Sequence, residues 1–96
     1  MSPKNKIKLN ILRKRLDNLD NILLNVIKTR SNLVKEVLKL KNNKSEIVDR
    51  KRINYILKKI NKKSIQKKID PKITKRIWKS MIWSFIDYER RNFKKK

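Results

Sequence analysis

Apolar residues recur through the first part of the chain at helical intervals of three and four residues, or their sum. The series comprises Leu12, Leu16, Leu19, Leu23, Val26, Leu33, Val37 and Leu40. Such spacing aligns the side chains along one face of an α-helix, whereas a strand would show alternation. The pattern predicts a helix from about Lys6 to Lys41, with roughly 35 residues and a length of roughly 50 Å.

A helix of this length is difficult to accommodate in a monomer. It exceeds the diameter of a domain of 96 residues, and the rest of the chain is too short to cover its apolar side. We therefore expect a homodimer in which the long helices of two copies pair. The heptad-like spacing also fits a plain coiled coil, but two further helices with apolar faces of their own favour a globular bundle.

Two shorter helices are expected after a polar loop at residues 42–46. Asp49 is suited to cap or open the second helix, whose apolar residues are Ile53, Ile56, Leu57 and Ile60. The lysine-rich residues 61–68 are expected to form a second connection. Asp70 followed by Pro71 predicts the start of the third helix, which runs through Ile73, Ile77, Met81, Phe85 and Tyr88.

These elements predict an all-α fold with three helices per chain, a long first helix and an intertwined homodimeric helical bundle. Glycine is absent and proline occurs only at Pro3 and Pro71, so few positions force a helix to stop. Residues 1–96 are expected to form a single domain, with residues 1–5 and 94–96 frayed.

Composition limits the chemistry available to the chain. Cysteine and histidine are both absent, which excludes disulfides, thiolate metal sites and the commonest general base. We expect no cofactor and no metal, so catalysis would use carboxylates, lysines, arginines or hydroxyls. No apolar run is long enough to cross a bilayer, and the first residues lack the apolar stretch of a secretory signal. A cytoplasmic protein without a membrane partner is therefore expected.

Lysine supplies most of a formal net charge of +22. Such a charge is typical of proteins that bind nucleic acid, an anionic membrane or a small anion. A composition rich in lysine, asparagine and isoleucine also arises from an AT-rich coding sequence, and we assign most of the lysines to that cause. Arginine is more informative against this background, because its planar guanidinium binds carboxylates in a bidentate manner.

Several charged residues fall on apolar helix faces. One face of the first helix carries Arg13, Leu16, Asp20, Leu23, Ile27, Arg30, Val34, Val37 and Lys41. An unpaired guanidinium is costly to bury, so Arg30 must meet either a carboxylate of the protein or an anionic ligand. In the third helix, Glu89 continues an apolar row formed by Trp78, Ile82 and Phe85. Glu89 is therefore either buried, which favours its neutral form, or paired with a lysine where the helix emerges.

Asp49 and Arg52 lie one turn apart at the start of the second helix. As an exposed pair within one helix they would contribute only a few tenths of a kcal/mol. As groups that face a pocket they could position a carboxylate or hydroxyl of a ligand, and the sequence by itself favours the first alternative.

These features lie in three segments, LRKRLDNLDNILLNVIKTRSNLVKEVLKLK, IVDRKRINYIL and IDPKITKRIWKSMIWSFIDYERR. Together they resemble the all-helical class of chorismate mutases, over residues 9–91. The resemblance implies a homodimer with two equivalent sites for a small dicarboxylate. It also implies an isomerase that rearranges chorismate to prephenate without a cofactor.

The same resemblance implies the roles of individual residues. Lys41 and Glu89 would be catalytic, both donating hydrogen bonds to the ether oxygen of the substrate, which Glu89 can do only while protonated. Arg13, from the other subunit, and Arg30 would bind the two substrate carboxylates. The remaining substrate-binding residues would be Asp49, Arg52 and Phe85, of which the first two hold the ring substituents and the ring-side carboxylate.

Three positions depart from the pattern that is common in this family. Glutamine is usual at the position of Glu89 in bacterial members, whereas fungal members carry glutamate. The residue after Arg52 is often glutamate but here is Ile53, and the position of Phe85 is often serine. The changes at Ile53 and Phe85 resemble the isochorismate-pyruvate lyases, which share this fold, although those enzymes carry glutamine in place of Glu89.

Two other functions remain open at this stage. Trp78, Trp83 and Phe93 among lysines could stack on the bases of a nucleic acid. The tryptophans lie in a regular helical pattern, which favours core or dimer contacts, and we expect no specific nucleic-acid partner. The changes at Ile53 and Phe85 also leave room for a catalytically silent helical interaction module.

Overall fold

The computed structural model describes residues 1–95, and this part of the chain is helical without a β-strand. Three α-helices follow one another: α1 at Pro3–Leu40, α2 at Arg50–Gln66 and α3 at Pro71–Asn92. A short 3-10 turn, Lys44–Glu46, lies between α1 and α2. The expectation of an all-α chain with a long first helix is confirmed. The chain divides into two compact units, Met1–Leu33 and Val34–Lys96.

The first unit, Met1–Leu33, contains most of α1 and no buried residue. Its large apolar side chains from Ile11 to Leu33 are exposed, and most expose more than half of their surface. Leu12, Leu16, Leu19, Leu23 and Val26 form one row of this exposed set. A contiguous apolar row that faces water is unfavourable.

The second unit contains the hydrophobic core of the described chain. Helix α2 packs against α3, and the buried apolar residues are Ile47, Ile82 and Ile86. Half-buried residues pack around them: Leu38, Val48, Ile53, Ile56, Leu57, Trp78 and Phe93. Trp78 and Phe93 thus pack against the core, whereas Trp83 is 40% exposed.

Both shorter helices begin at the aspartates that the sequence indicated. The Asp49 carboxylate accepts a hydrogen bond from the Arg52 backbone N–H at 3.0 Å, and the Asp70 carboxylate accepts one from Lys72 at 2.9 Å. Pro71 occupies the first position of α3, where its missing N–H has no partner to lose. Each aspartate satisfies an N–H that the helix itself leaves without an acceptor.

The expectation of a connection at residues 61–68 is wrong, because α2 continues to Gln66. Lysine is a good helix former, and Ser64 gives this part of α2 a packing contact. The Ser64 hydroxyl donates to the Ile60 carbonyl at 2.6 Å and lies 2.7 Å from the Thr74 hydroxyl of α3. Both residues are buried, so this polar contact joins the two helices inside the protein.

Lys68 allows α2 and α3 to be joined by a short turn. It has a φ of 58°, a left-handed conformation that glycine usually supplies in a chain that contains it. The N–H groups of Lys68 and Ile69 donate to the carbonyls of Ile65 and Ser64 at 3.1 and 2.9 Å. This pair of bonds is a Schellman motif, which satisfies the last carbonyls of α2 and ends the helix.

The chain ends differ in their structure. Only Met1 and Ser2 of the stretch 1–5 precede α1, and the Ser2 hydroxyl accepts a hydrogen bond from the Asn5 backbone N–H at 3.2 Å. Lys94 and Lys95 lie beyond α3 in non-helical conformation. Lys96, the last residue of the stretch expected to fray, lies outside the described residues.

Thr74→Val should lower the free energy of unfolding by about 1–3 kcal/mol, because it leaves the buried Ser64 hydroxyl without its neighbour. Urea titrations at one fixed protein concentration would measure this change. Ser84→Ala is the matched control, since the exposed Ser84 hydroxyl bonds only the Ser80 carbonyl. Equal losses in the two variants would show that the Ser64–Thr74 contact contributes nothing specific.

Candidate functional site

A buried ion pair joins the segment after α1 to the last turns of α3. Lys41 Nζ lies 2.7 Å from Glu89 Oε2, and the two residues are 48 positions apart in the chain. The side chains are only 16% and 8% exposed. At this distance and burial the contact is a charge-assisted hydrogen bond with little screening by solvent.

Glu89 is buried because it continues the apolar row of α3. Ile86 and Ile82, one and two turns before it, belong to the core, and Trp78 packs against that core. An isolated carboxylate in such a place is expensive, and Lys41 supplies the compensating charge. The two alternatives that the sequence left open for Glu89, burial and pairing with a lysine, therefore hold together.

The chain on both sides of Lys41 is held by hydrogen bonds. The Lys41 N–H donates to the Leu38 carbonyl at 3.1 Å. One oxygen of Glu46 accepts from the N–H groups of Asn42 and Asn43, each at 3.0 Å. These bonds stiffen the polar segment that sequence analysis treated as a loop, so the Lys41 side chain starts from a defined position.

An open cavity of about 770 Å³ lies beside Lys41. Its wall is built from the turn after α1, the first turn of α2 and one residue of α3. The lining residues are Lys41, Ser45, Glu46, Val48, Asp49, Arg50, Lys51 and Arg90. The volume is typical of a pocket for a small ligand, and most of the lining side chains are charged.

Three of the expected site residues therefore lie in one place. Lys41 and Asp49 line the cavity, and Glu89 contacts Lys41. Asp49 also caps α2, because one of its carboxylate oxygens accepts a hydrogen bond from the Arg52 backbone N–H. The same residue contributes to the cavity wall. Phe85, half-buried, lies one turn before Glu89 on the same face of α3.

Arg52 does not line this cavity. Its guanidinium lies 5.5 Å from the centre of the Tyr55 ring, which indicates a cation–π contact on the outer side of α2. The carboxylate of Asp49 bonds the backbone of Arg52 and not its guanidinium, so the exposed intrahelical ion pair considered from the sequence is not formed. Arg13, exposed, and Arg30, half-buried, belong to the first unit.

The sequence pattern did not indicate Arg50, Lys51 or Arg90, all of which line the cavity. They lie at exposed positions, where helical periodicity carries no information. Their position next to expected site residues could have indicated them, since Arg50 directly follows Asp49 and Arg90 directly follows Glu89.

Within residues 1–95, no group of three or more acidic, histidine or cysteine side chains could hold a metal ion. None of the helices in the same range combines the length and apolar character needed to cross a membrane.

Lys41→Met should lower the free energy of unfolding by about 3 kcal/mol at neutral pH, because it strands the buried Glu89 carboxylate. The double variant Lys41→Met/Glu89→Gln should recover much of that loss. Arg91→Met is the control, because it breaks the exposed pair with Asp87, 2.9 Å apart, and should cost less than about 1 kcal/mol. Denaturant titrations would measure all three, and a double variant no more stable than Lys41→Met would contradict the stranded-charge explanation.

Comparison with known proteins gives one family. Residues 12–90 match the model of the family described as chorismate mutase type II, which extends over all three helices. Comparisons with curated proteins and with solved structures gave no match. The match covers well over half of the chain. The chain belongs to the chorismate mutase type II family.

Proposed function

We propose that this protein is a chorismate mutase that rearranges chorismate to prephenate. The observation that carries the proposal is the buried Lys41–Glu89 pair beside an open cavity, in a chain that belongs to the chorismate mutase type II family. The family implies an isomerase with chorismate as substrate. The residue roles, the dimer and the mechanism below are our inferences.

The proposed reaction needs little chemical reactivity from the side chains of the protein. Within one substrate molecule a carbon–carbon bond forms while the ether carbon–oxygen bond breaks, so no nucleophile is needed. The enzyme must hold the substrate in the compact conformation that brings the reacting carbons together. It must also stabilise negative charge that develops on the ether oxygen. Both tasks suit a chain without cysteine or histidine.

Lys41 is the principal donor to the ether oxygen in this proposal. Its ammonium is already directed into the protein by Glu89 at 2.7 Å, so little reorganisation is needed during the reaction. Glu89 donates to the same oxygen only while it carries a proton. Glu89→Gln keeps a hydrogen-bond donor at this position, so it should retain turnover of chorismate.

The other residues position the substrate. Arg30 and an Arg13 from a second subunit bind its two carboxylates, which suits the bidentate geometry of guanidinium groups. Asp49 lines the cavity and bonds a ring substituent. Arg52 exchanges its contact with Tyr55 for the ring-side carboxylate, and Phe85 closes the apolar side of the site.

We further propose that two chains form a homodimer through α1, so that residues 1–96 act as one mutase domain. The exposed row from Leu12 to Val26 continues at Leu33, and its spacing of four and three is that of a coiled-coil seam. Burial of each such side chain contributes about 1.5–3 kcal/mol. Arg30 occupies the seam position between Val26 and Leu33, where a second chain would lie beside it.

Lys41→Ala should lower kcat by two to three powers of ten, as roughly expected for the loss of one donor to a developing charge. Arg30→Ala should also nearly abolish turnover, because the substrate is no longer held in its compact conformation. A steady-state assay of chorismate consumption would measure this, with helical content checked by circular dichroism at the assay temperature. The exposed Lys39 and Arg15 provide the controls, and alanine there should leave kcat within about twofold. Full activity of either site variant would refute the assignment.

The same assay should be run with isochorismate, because Ile53 and Phe85 resemble the lyases of this fold. Prephenate formed from chorismate supports the mutase. Salicylate and pyruvate formed from isochorismate, with chorismate left unchanged, would assign the site to the lyase reaction instead.

The shared site can be tested by mixing two inactive variants, Arg13→Ala and Lys41→Ala. If each site takes Arg13 from the other subunit, one of the two sites in a mixed dimer contains both native residues. Equal mixing after subunit exchange should then restore about a quarter of wild-type activity, since half of the dimers are mixed. No recovery, with mixed dimers present by mass spectrometry, would place Arg13 and Lys41 of each site in one chain.

A further inference from the structure

The cavity beside Lys41 carries three basic side chains that take no part in the roles described above. They are Arg50 and Lys51 of α2 and Arg90 of α3, here called the basic rim. The ion pairs of residues 1–95 are Lys41–Glu89 and Asp87–Arg91, so no residue of the rim is paired within that range. Two separate helices thus direct unpaired positive charge to one opening.

The two acids in the cavity wall do not offset this charge by pairing with the rim. One oxygen of Glu46 accepts from two backbone N–H groups, and Asp49 accepts from the backbone N–H that begins α2. Their positions are therefore set by the backbone. With Lys41 paired to the buried Glu89, the rim contributes three positive charges against two carboxylates at the mouth.

We infer that the basic rim captures the doubly negative substrate and directs it into the cavity toward Lys41. This inference rests on the proposed function, which makes the ligand a small dicarboxylate. Charges of one sign around a concave, low-dielectric opening focus the electric field and raise the local concentration of an oppositely charged ligand. The rim acts through charge at the entrance, so it affects capture of the substrate and not the rate of rearrangement once bound.

Although the net charge is +22, the basic residues do not contribute equally to the electric field at the cavity opening. Arg76 and Lys79 are also exposed residues of α3, but they do not line the cavity. Arg76 lies fourteen residues before Arg90, or about 21 Å along the helix. That separation is about twice the Debye length of roughly 10 Å at 0.1 M salt, so Arg76 contributes much less field at the opening.

The test compares a rim variant with a control variant that removes the same number of positive charges elsewhere on the protein. A second rim variant keeps its positive charges. Arg50→Gln/Arg90→Gln should raise KM for chorismate about tenfold at roughly 0.1 M salt, near the lower end of the range for electrostatic focusing, and leave kcat unchanged. The salt dependence of kcat/KM should become correspondingly weaker. Arg50→Lys/Arg90→Lys should retain the wild-type KM, because the rim acts by charge. The control Arg76→Gln/Lys79→Gln should change neither constant by more than about twofold.

A calorimetric titration with prephenate, which carries two carboxylates, separates this inference from the proposed function. If the wild type turns over chorismate but rim and control variants behave alike, the rim inference is overturned and the function stands. If the wild type binds prephenate without turnover and only the rim variant binds more weakly, the function fails and the rim stands. If the wild type neither binds nor turns over substrate, both are overturned.

Discussion

A carboxylate that continues an apolar helix face needs a positive partner, and the pairing of Glu89 with Lys41 meets that need in this protein. Glu89 follows the buried Ile82 and Ile86 along α3 and is itself buried, so water supplies little compensation. The pair also connects the end of α3 to the segment after α1. Burying an ion pair is energetically unfavourable when the pair has only a structural role. Here the Lys41–Glu89 pair holds two charged groups in place beside a cavity.

Backbone hydrogen bonds keep that arrangement in place. Glu46 holds the N–H groups that follow Lys41, and Asp49 caps α2 while lining the cavity. The Ser64–Thr74 contact joins α2 to α3 at the far end. Because backbone N–H groups occupy oxygens of Glu46 and Asp49, these carboxylates do not pair with the basic residues that line the cavity.

An enzyme built in this way relies on fixed charge rather than on proton transfer by histidine or attack by cysteine, both of which the chain lacks. Preorganised donors are effective where charge develops in the transition state, and arginines are suited to hold carboxylates. The rearrangement attributed to the chorismate mutase type II family requires these two capacities. The long exposed face of α1 accounts for the second chain that we propose.

Local signals in the sequence were sufficient for the helices and for both aspartate caps, because periodicity, Asp49 and the Asp70–Pro71 pair act within a few residues. They also placed Glu89 on an apolar face. They failed at residues 61–66, where the lysines gave no apolar pattern and the contact of Ser64 with Thr74 comes from another helix. Only the tertiary structure joined Lys41 to Glu89 across 48 positions and gathered Arg50, Lys51 and Arg90 at one opening. Such contacts depend on how the helices pack against one another. Periodicity along one helix shows which of its faces is apolar, but not which charged residue from a distant part of the chain will contact that face.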